Sequence, residues 1–157
     1  MLKVLFLCTG NSARSQIAEA LLNFKGKDRI VAYSAGSEPA EAINPYAIKV
    51  MEEMGIDISG YKPKSLKLFE DQYFDFVITL CDRARDQCPV IPSPSIHVHW
   101  GFADPKYFKG TDEEILRQLK TITNEIARRI DLFLSLPLEK SDRASLKKKL
   151  DEIIEIN

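Results

Sequence analysis

Four short segments rich in apolar residues limit the fold of this chain more than any other feature: Lys3 to Leu7, Ile30 to Ser34 and Phe74 to Leu80, which do not alternate strictly, and Ile96 to Trp100. A strand with one wet face alternates apolar and polar residues, whereas a strand buried on both faces does not, and burial on both faces is the condition of a parallel sheet covered by helices. The segments between them have helical period. Ser15 to Lys25 puts Ile17, Ala18, Leu21 and Leu22 on one face before Gly26. Asn44-Pro45 supplies an N-cap and a first-turn proline, Ala47, Ile48 and Met51 follow, and Gly55 stands where a helix-ending glycine belongs. Thr111-x-x-Glu114 is a capping-box pattern ahead of Ile115, Leu119, Ile122, Ile126, Ile130 and Leu134, with Pro137 marking the stop. Ser141 to Asn157 carries Leu146, Leu150, Ile153 and Ile154 at helical spacing under many charges, which predicts an added helix, docked or frayed. The prediction is an α/β fold in which four buried parallel strands are joined by crossover helices.

A chain of 157 residues has room for one such core. Its 22 basic and 23 acidic residues give a formal net charge of −1, which argues against a polybasic nucleic-acid surface. Val4 to Leu7 is too short an apolar run for a signal or a membrane span. Cys8, Cys81 and Cys88 are an odd set in a chain without an export signal, so working thiols in the cytoplasm are expected rather than a disulfide scaffold.

The chemistry concentrates at Cys8-Thr9-Gly10-Asn11-Ser12-Ala13-Arg14-Ser15, where the first strand turns into a helix through a Cys-x5-Arg loop. Backbone N–H groups at a helix N-terminus point into such a turn and favour a tetrahedral oxyanion without a metal. Arg14 adds a planar fork that donates two parallel bonds to oxyanion oxygens. Gly10 removes a side chain from the turn, and Asn11 tolerates a left-handed backbone while its amide braces the loop. Cys8 then lies at the bottom of the nest, with its acidity expected to rise into the range of roughly 3.5 to 7.5 typical of reactive cysteines. The hydroxyls of Ser12 and Ser15 are candidate donors to the thiolate. A carboxyl such as Asp104, ahead of Pro105, would be pushed toward its protonated form beside a bound oxyanion, ready to donate to a leaving oxygen. His97 and His99 have no third partner at metal spacing and are read as one inward and one outward strand histidine; no metal and no organic cofactor are expected.

With these residues the chain resembles the low-molecular-weight tyrosine phosphatase fold family and, within it, the thioredoxin-coupled arsenate reductases. The resemblance covers about residues 1 to 136 and rests on Cys8 to Gln16, Tyr33-Ser34-Ala35-Gly36, Thr79-Leu80-Cys81 with Cys88-Pro89, and His99-Trp100-Gly101-Phe102-Ala103-Asp104-Pro105. It implies a three-layer, doubly wound sheet of four parallel strands over residues 1–136, followed by a helical extension over 137–157. It also implies that Cys8 attacks arsenic and Asp104 protonates the departing oxygen. Cys81 then attacks Cys8 and releases arsenite, and Cys88 resolves the Cys8–Cys81 disulfide into a Cys81–Cys88 bond that thioredoxin reduces. Phosphatases of the family usually carry a second cysteine where Ala13 stands and a proline where Gln16 stands. Tyr107-Phe108, however, resembles the aromatic pair with which they grip phosphotyrosine, so hydrolysis is the alternative, and a non-enzymatic oxyanion sensor or phosphocarrier a third reading.

Some relatives hold a monovalent cation, for which Asn11, Glu19 and Ser34 are present. Lys64 stands where a carboxylate would complete that site; it either donates to the same acceptors or, the default, is a solvated loop charge. The expected partners are arsenate or a phosphate-like oxyanion and thioredoxin, and the chain is expected to be a monomer. Asp82 to Gln87 is helix-compatible. Residues seven apart on a helix lie roughly 10 Å apart, whereas a disulfide needs Cα atoms within about 7 Å, so a helix there must bend or melt before Cys81 and Cys88 join.

Overall fold

The computed structural model describes residues 1–81, 95–139 and 142–156. Strands β1 (Leu2–Cys8), β2 (Ile30–Gly36), β3 (Phe76–Thr79) and β4 (Ile96–His99) form one sheet in the order β2-β1-β3-β4. All three pairings are parallel. The chain moves from β1 outward to β2 and returns to the other side of β1 for β3, so the strand order reverses at β1. In open α/β sheets, ligands bind beyond the carboxyl ends of the strands at such a reversal.

Helices α1 (Arg14–Lys25), α2 (Pro45–Glu53), α3 (Asp112–Leu134) and α4 (Arg143–Ile156) all contribute to one large core with Val4, Phe6, Phe76, Ile78 and Val98. The opposite face of the sheet, Leu5, Leu7 and Val77, packs in a smaller cluster with Phe69 and Phe74. The helix ends follow the local sequence. Asn44 Oδ1 accepts from Tyr46 N at 2.8 Å, and Gly55 takes φ +80° just beyond α2. At α3 the capping box is complete, with Thr111 Oγ1 accepting from Glu114 N and Glu114 Oε1 from Thr111 N. No helix among the described residues is long and apolar enough to cross a membrane.

Two details differ from the sequence reading, and one alternative it left open is decided. β3 starts at Phe76, because Phe74 leaves the strand line to fill the aromatic group with Phe69 and Tyr33, while Asp75 is held to Lys3 through both backbone and side chain. His97 and His99 are not one inward and one outward. They share a face of β4 opposite Ile96 and Val98, as a period of two requires. His99 Nδ1 lies 2.7 Å from Thr79 Oγ1. The last helix is docked: Leu146, Leu150 and Ile153 are buried in the large core, and Lys147 Nζ donates to the His97 carbonyl on β4.

Candidate active site

Beyond the carboxyl end of β1, the loop from Cys8 to Arg14 forms the floor of a cleft of about 940 Å³, walled by Cys81, Phe102, Asp104 and Tyr107. Cys8, Thr9, Gly10, Asn11, Ser12, Ala13 and Arg14 all line it, and Ser15 is buried behind them. Helix α1 begins with Ala13 at its N-cap, a residue with no side chain able to accept, so no side-chain cap competes for the amides of the first turn. Amides left unpaired at a helix start are an anion site.

The loop is held by Asn11, which is fully buried at φ 51°, a left-handed backbone that asparagine tolerates. Its Nδ2 donates to Ser15 Oγ at 2.7 Å, and its Oδ1 accepts from Gln16 Nε2 at 2.9 Å and from Lys64 N at 2.7 Å. Gln16 Nε2 also donates to Lys62 O at 3.0 Å, fastening the loop to the 62–64 segment. Gly10 has ordinary room for a Cβ, so the glycine that the turn demands is another one. A Cβ on Gly36, which pairs with Cys8 across β1–β2, would lie 2.5 Å from Thr9 O. Gly36 and Gln16 thus shape the nest beyond the residues singled out for it; Tyr33-Ser34-Ala35-Gly36 carried that signal only as a family motif.

Arg14 is buried and ties the nest to the opposite wall. Its Nη1 donates to Phe102 O at 3.0 Å and its Nη2 lies 3.4 Å from Asp104 Oδ2. Asp104 Oδ1 accepts from Lys106 N at 3.0 Å, which starts a short 3₁₀ turn at Pro105–Tyr107 and aims the carboxylate inward. Tyr107 stands at the rim, 68% exposed.

Cys81 is buried beside Cys8, its Sγ 3.2 Å from Thr9 Oγ1. The bond with the Cys81 thiol, followed by burial, pushes the Cys8 thiol well above its ordinary value; Arg14 and the Thr9 backbone N–H pull it down only in part. This corrects the expectation of a simply acidified Cys8. Arg14 acts in the expected direction, but a second thiol against the first makes the two sulfurs share a proton. Ser15 Oγ accepts from Asn11 Nδ2 at 2.7 Å, which leaves its hydroxyl proton for donation. Cys88 and the segment from Asp82 to Gln87 lie outside the described residues.

Lys64 is not a solvated loop charge. Its Nζ lies 3.4 Å from both Glu19 Oε1 and Ser34 Oγ, so the ammonium stands among the acceptors that a cation would use. Burial pushes Glu19 up, and Lys64 and Ser34 hold it down.

The low molecular weight phosphotyrosine protein phosphatase family matches residues 3–151, and the chain belongs to it. An arsenate reductase of Halalkalibacterium halodurans is 45% identical over 130 residues, 83% of this chain and 93% of that protein. A solved arsenate reductase in the oxidized state is 32% identical with a TM-score of 0.72, covering 83% of this chain and 95% of that one. The thioredoxin-dependent arsenate reductase of Corynebacterium glutamicum is 32% identical with a TM-score of 0.60, over 87% of this chain and 64% of that one. A low molecular weight protein tyrosine phosphatase from T. tengcongensis is 28% identical with a TM-score of 0.71, over 87% of this chain and all of that one.

Proposed function

We propose that this protein reduces arsenate to arsenite in the cytoplasm and is recycled by thioredoxin. The observation that carries this reading is the Cys81 thiol hydrogen-bonded to Cys8 in an oxyanion cleft. Hydrolysis needs one nucleophile and water, whereas reduction needs a second sulfur in reach of the first. In this reading the first-turn amides and Arg14 hold the oxyanion, one of its oxygens takes the proton of the Cys8 thiol, and the resulting thiolate forms a sulfur–arsenic bond. One arsenate oxygen leaves with a proton from Asp104. Cys81 thiolate then attacks Cys8 Sγ. A sulfur–sulfur bond forms, the electron pair of the sulfur–arsenic bond stays on arsenic, and As(V) becomes As(III). Cys88 thiolate displaces Cys8 from Cys81, and the Cys81–Cys88 disulfide passes to a thioredoxin dithiol. Purified protein with thioredoxin, thioredoxin reductase and NADPH should oxidise NADPH only when arsenate is added. Absence of that dependence rejects the reading.

One observation favours hydrolysis as a second reading: exposed Tyr107 at the rim, with Lys106 Nζ 5.0 Å from its ring centre, offers a face to a substrate aromatic ring. Efficient phosphotyrosine hydrolysis with no response to arsenate would select it.

A further inference from the structure

Helix α3 turns Ile122, Ile126, Ile130 and Phe133 into the large core, yet between them it buries an arginine. Arg129 is 7% exposed, and its Nε is buried without a hydrogen-bond partner. Among the described residues it forms no ion pair closer than 4 Å, and desolvation lowers its affinity for a proton. A charged side chain almost never occupies such a position without a specific partner. Glu125, one turn earlier, attracts it across space, and its contacts are aromatic: the guanidinium carbon lies 5.3 Å from the centre of the Phe102 ring and 5.8 Å from that of Trp100, both within cation–π reach.

Phe102 is the residue through which the acid-bearing wall is fastened. Its N–H donates to Leu80 O at 3.2 Å, its carbonyl accepts from Arg14 Nη1 at 3.0 Å, and Asp104 follows two residues on. We propose that Arg129 is a positioning residue: by stacking on Phe102 from behind, it fixes the carbonyl that orients Arg14 and the loop that presents Asp104. It touches no substrate and acts through Phe102. The inference rests on Asp104 as the acid and Arg14 as the oxyanion ligand, and holds for either arsenate or an aryl phosphate as substrate.

Arg129→Met keeps the length of the stem and removes the cation. It should lower kcat roughly tenfold, a fraction of the 10²- to 10⁴-fold that a general acid contributes. KM and the inhibition constant of inorganic phosphate should rise by a smaller factor, about two- to threefold, because Arg14 holds the oxyanion in the ground state as well as in the transition state. Arg129→Lys, which retains the charge, should recover most of the loss. Phe102→Leu should reproduce the kcat defect and add little to it in the double variant, because the two residues act as one unit. Phe102→Tyr should retain activity, so the comparison of Leu with Tyr at 102 remains informative even if Arg129→Met fails to fold. Unchanged kcat in folded Arg129→Met, equal losses in the Met and Lys variants, additive losses with Phe102→Leu, or equal activity of the two Phe102 variants each overturn the proposal. Asp104→Asn is run alongside. Full activity there rejects the assignment of the acid and this inference with it, whereas a large loss there with none in Arg129→Met rejects the inference alone.

Discussion

On one face of the sheet Val4, Phe6, Phe76 and Ile78 share a core with residues of all four described helices; on the other, Leu5, Leu7 and Val77 share a small cluster with Phe69, Phe74 and the two thiols Cys8 and Cys81. The loop between the faces is braced from the first side. Asn11, Ser15 and Gln16, all fully buried, are tied to each other, and Asn11 and Gln16 also bond to the 62–64 backbone. Cys81 lies instead in the small apolar cluster, against Thr9 and Cys8. The contrast suits the two jobs. An oxyanion nest works by holding donors still. A thiol that must leave one sulfur for another needs a site that yields.

The largest effects should come from the oxyanion loop. Cys8→Ser and Arg14→Ala are expected to reduce arsenate turnover by about 10³-fold or more, the first by removing the nucleophile and the second by removing charge stabilisation. Steady-state NADPH oxidation measures both, and arsenate-dependent turnover surviving in Cys8→Ser sinks the mechanism. Gly36→Ala comes next. The new methyl would meet Thr9 O at 2.5 Å, so either β2 or the nest must move, at about 1–3 kcal/mol. Chemical denaturation reads the stability and phosphate inhibition reads the nest. A full-strength nest in Gly36→Ala would mean that the loop is less rigid than its hydrogen bonds indicate.

How far the sequence carries this picture can be seen residue by residue. The apolar strand segments, the Asn44-Pro45 start and the Thr111–Glu114 box are local signals, and the structure contains each of them. The Cys8-to-Arg14 loop was read from a strand–loop–helix junction, whereas Asp104 entered chiefly through the family motif around it. What was not legible depends on approaches across the fold. The pressure of Gly36 on Thr9, the insertion of Lys64 between Glu19 and Ser34, and the stacking of Arg129 on Phe102 join residues that no periodicity connects. The acidity of Cys8 was misjudged for the same reason, since its main cause lies 73 positions away at Cys81.

Lys64→Met sharpens the comparison at smaller scale. The ammonium lowers the proton affinity of Glu19 against a burial that raises it, so removing it raises Glu19 further. A carboxyl whose folded value exceeds its unfolded one favours the fold while protonated and loses that favour as pH rises through the folded value. The variant should therefore lie close to wild type under mildly acidic conditions and fall behind by about 1 kcal/mol at neutral and alkaline pH. Denaturation curves at several pH values test this. A deficit that does not depend on pH would assign Lys64 a packing role instead.

The smallest energetic change, and the one that tests the sulfur pair, is Cys81→Ala. Four kinds of influence act on Cys8: the Cys81 thiol and burial raise it, while Arg14 and the Thr9 N–H lower it. Deleting the thiol removes the largest cause on the raising side and leaves Arg14 and the amide in place. Cys8 should then form its thiolate at lower pH than in wild type. Alkylation of Cys8 by iodoacetamide, quantified by mass spectrometry from acidic to alkaline pH, reads that midpoint directly, and a Cys88→Ser background keeps the third thiol from competing. Turnover cannot serve as the readout, because Cys81→Ala removes the sulfur that releases arsenite. A midpoint that stays put or rises would mean that the shared proton already rests on Cys81, with Cys8 the thiolate before any oxyanion arrives. In that case the second sulfur acts as a hydrogen-bond donor to the nucleophile until the adduct forms, and only then as the attacking group.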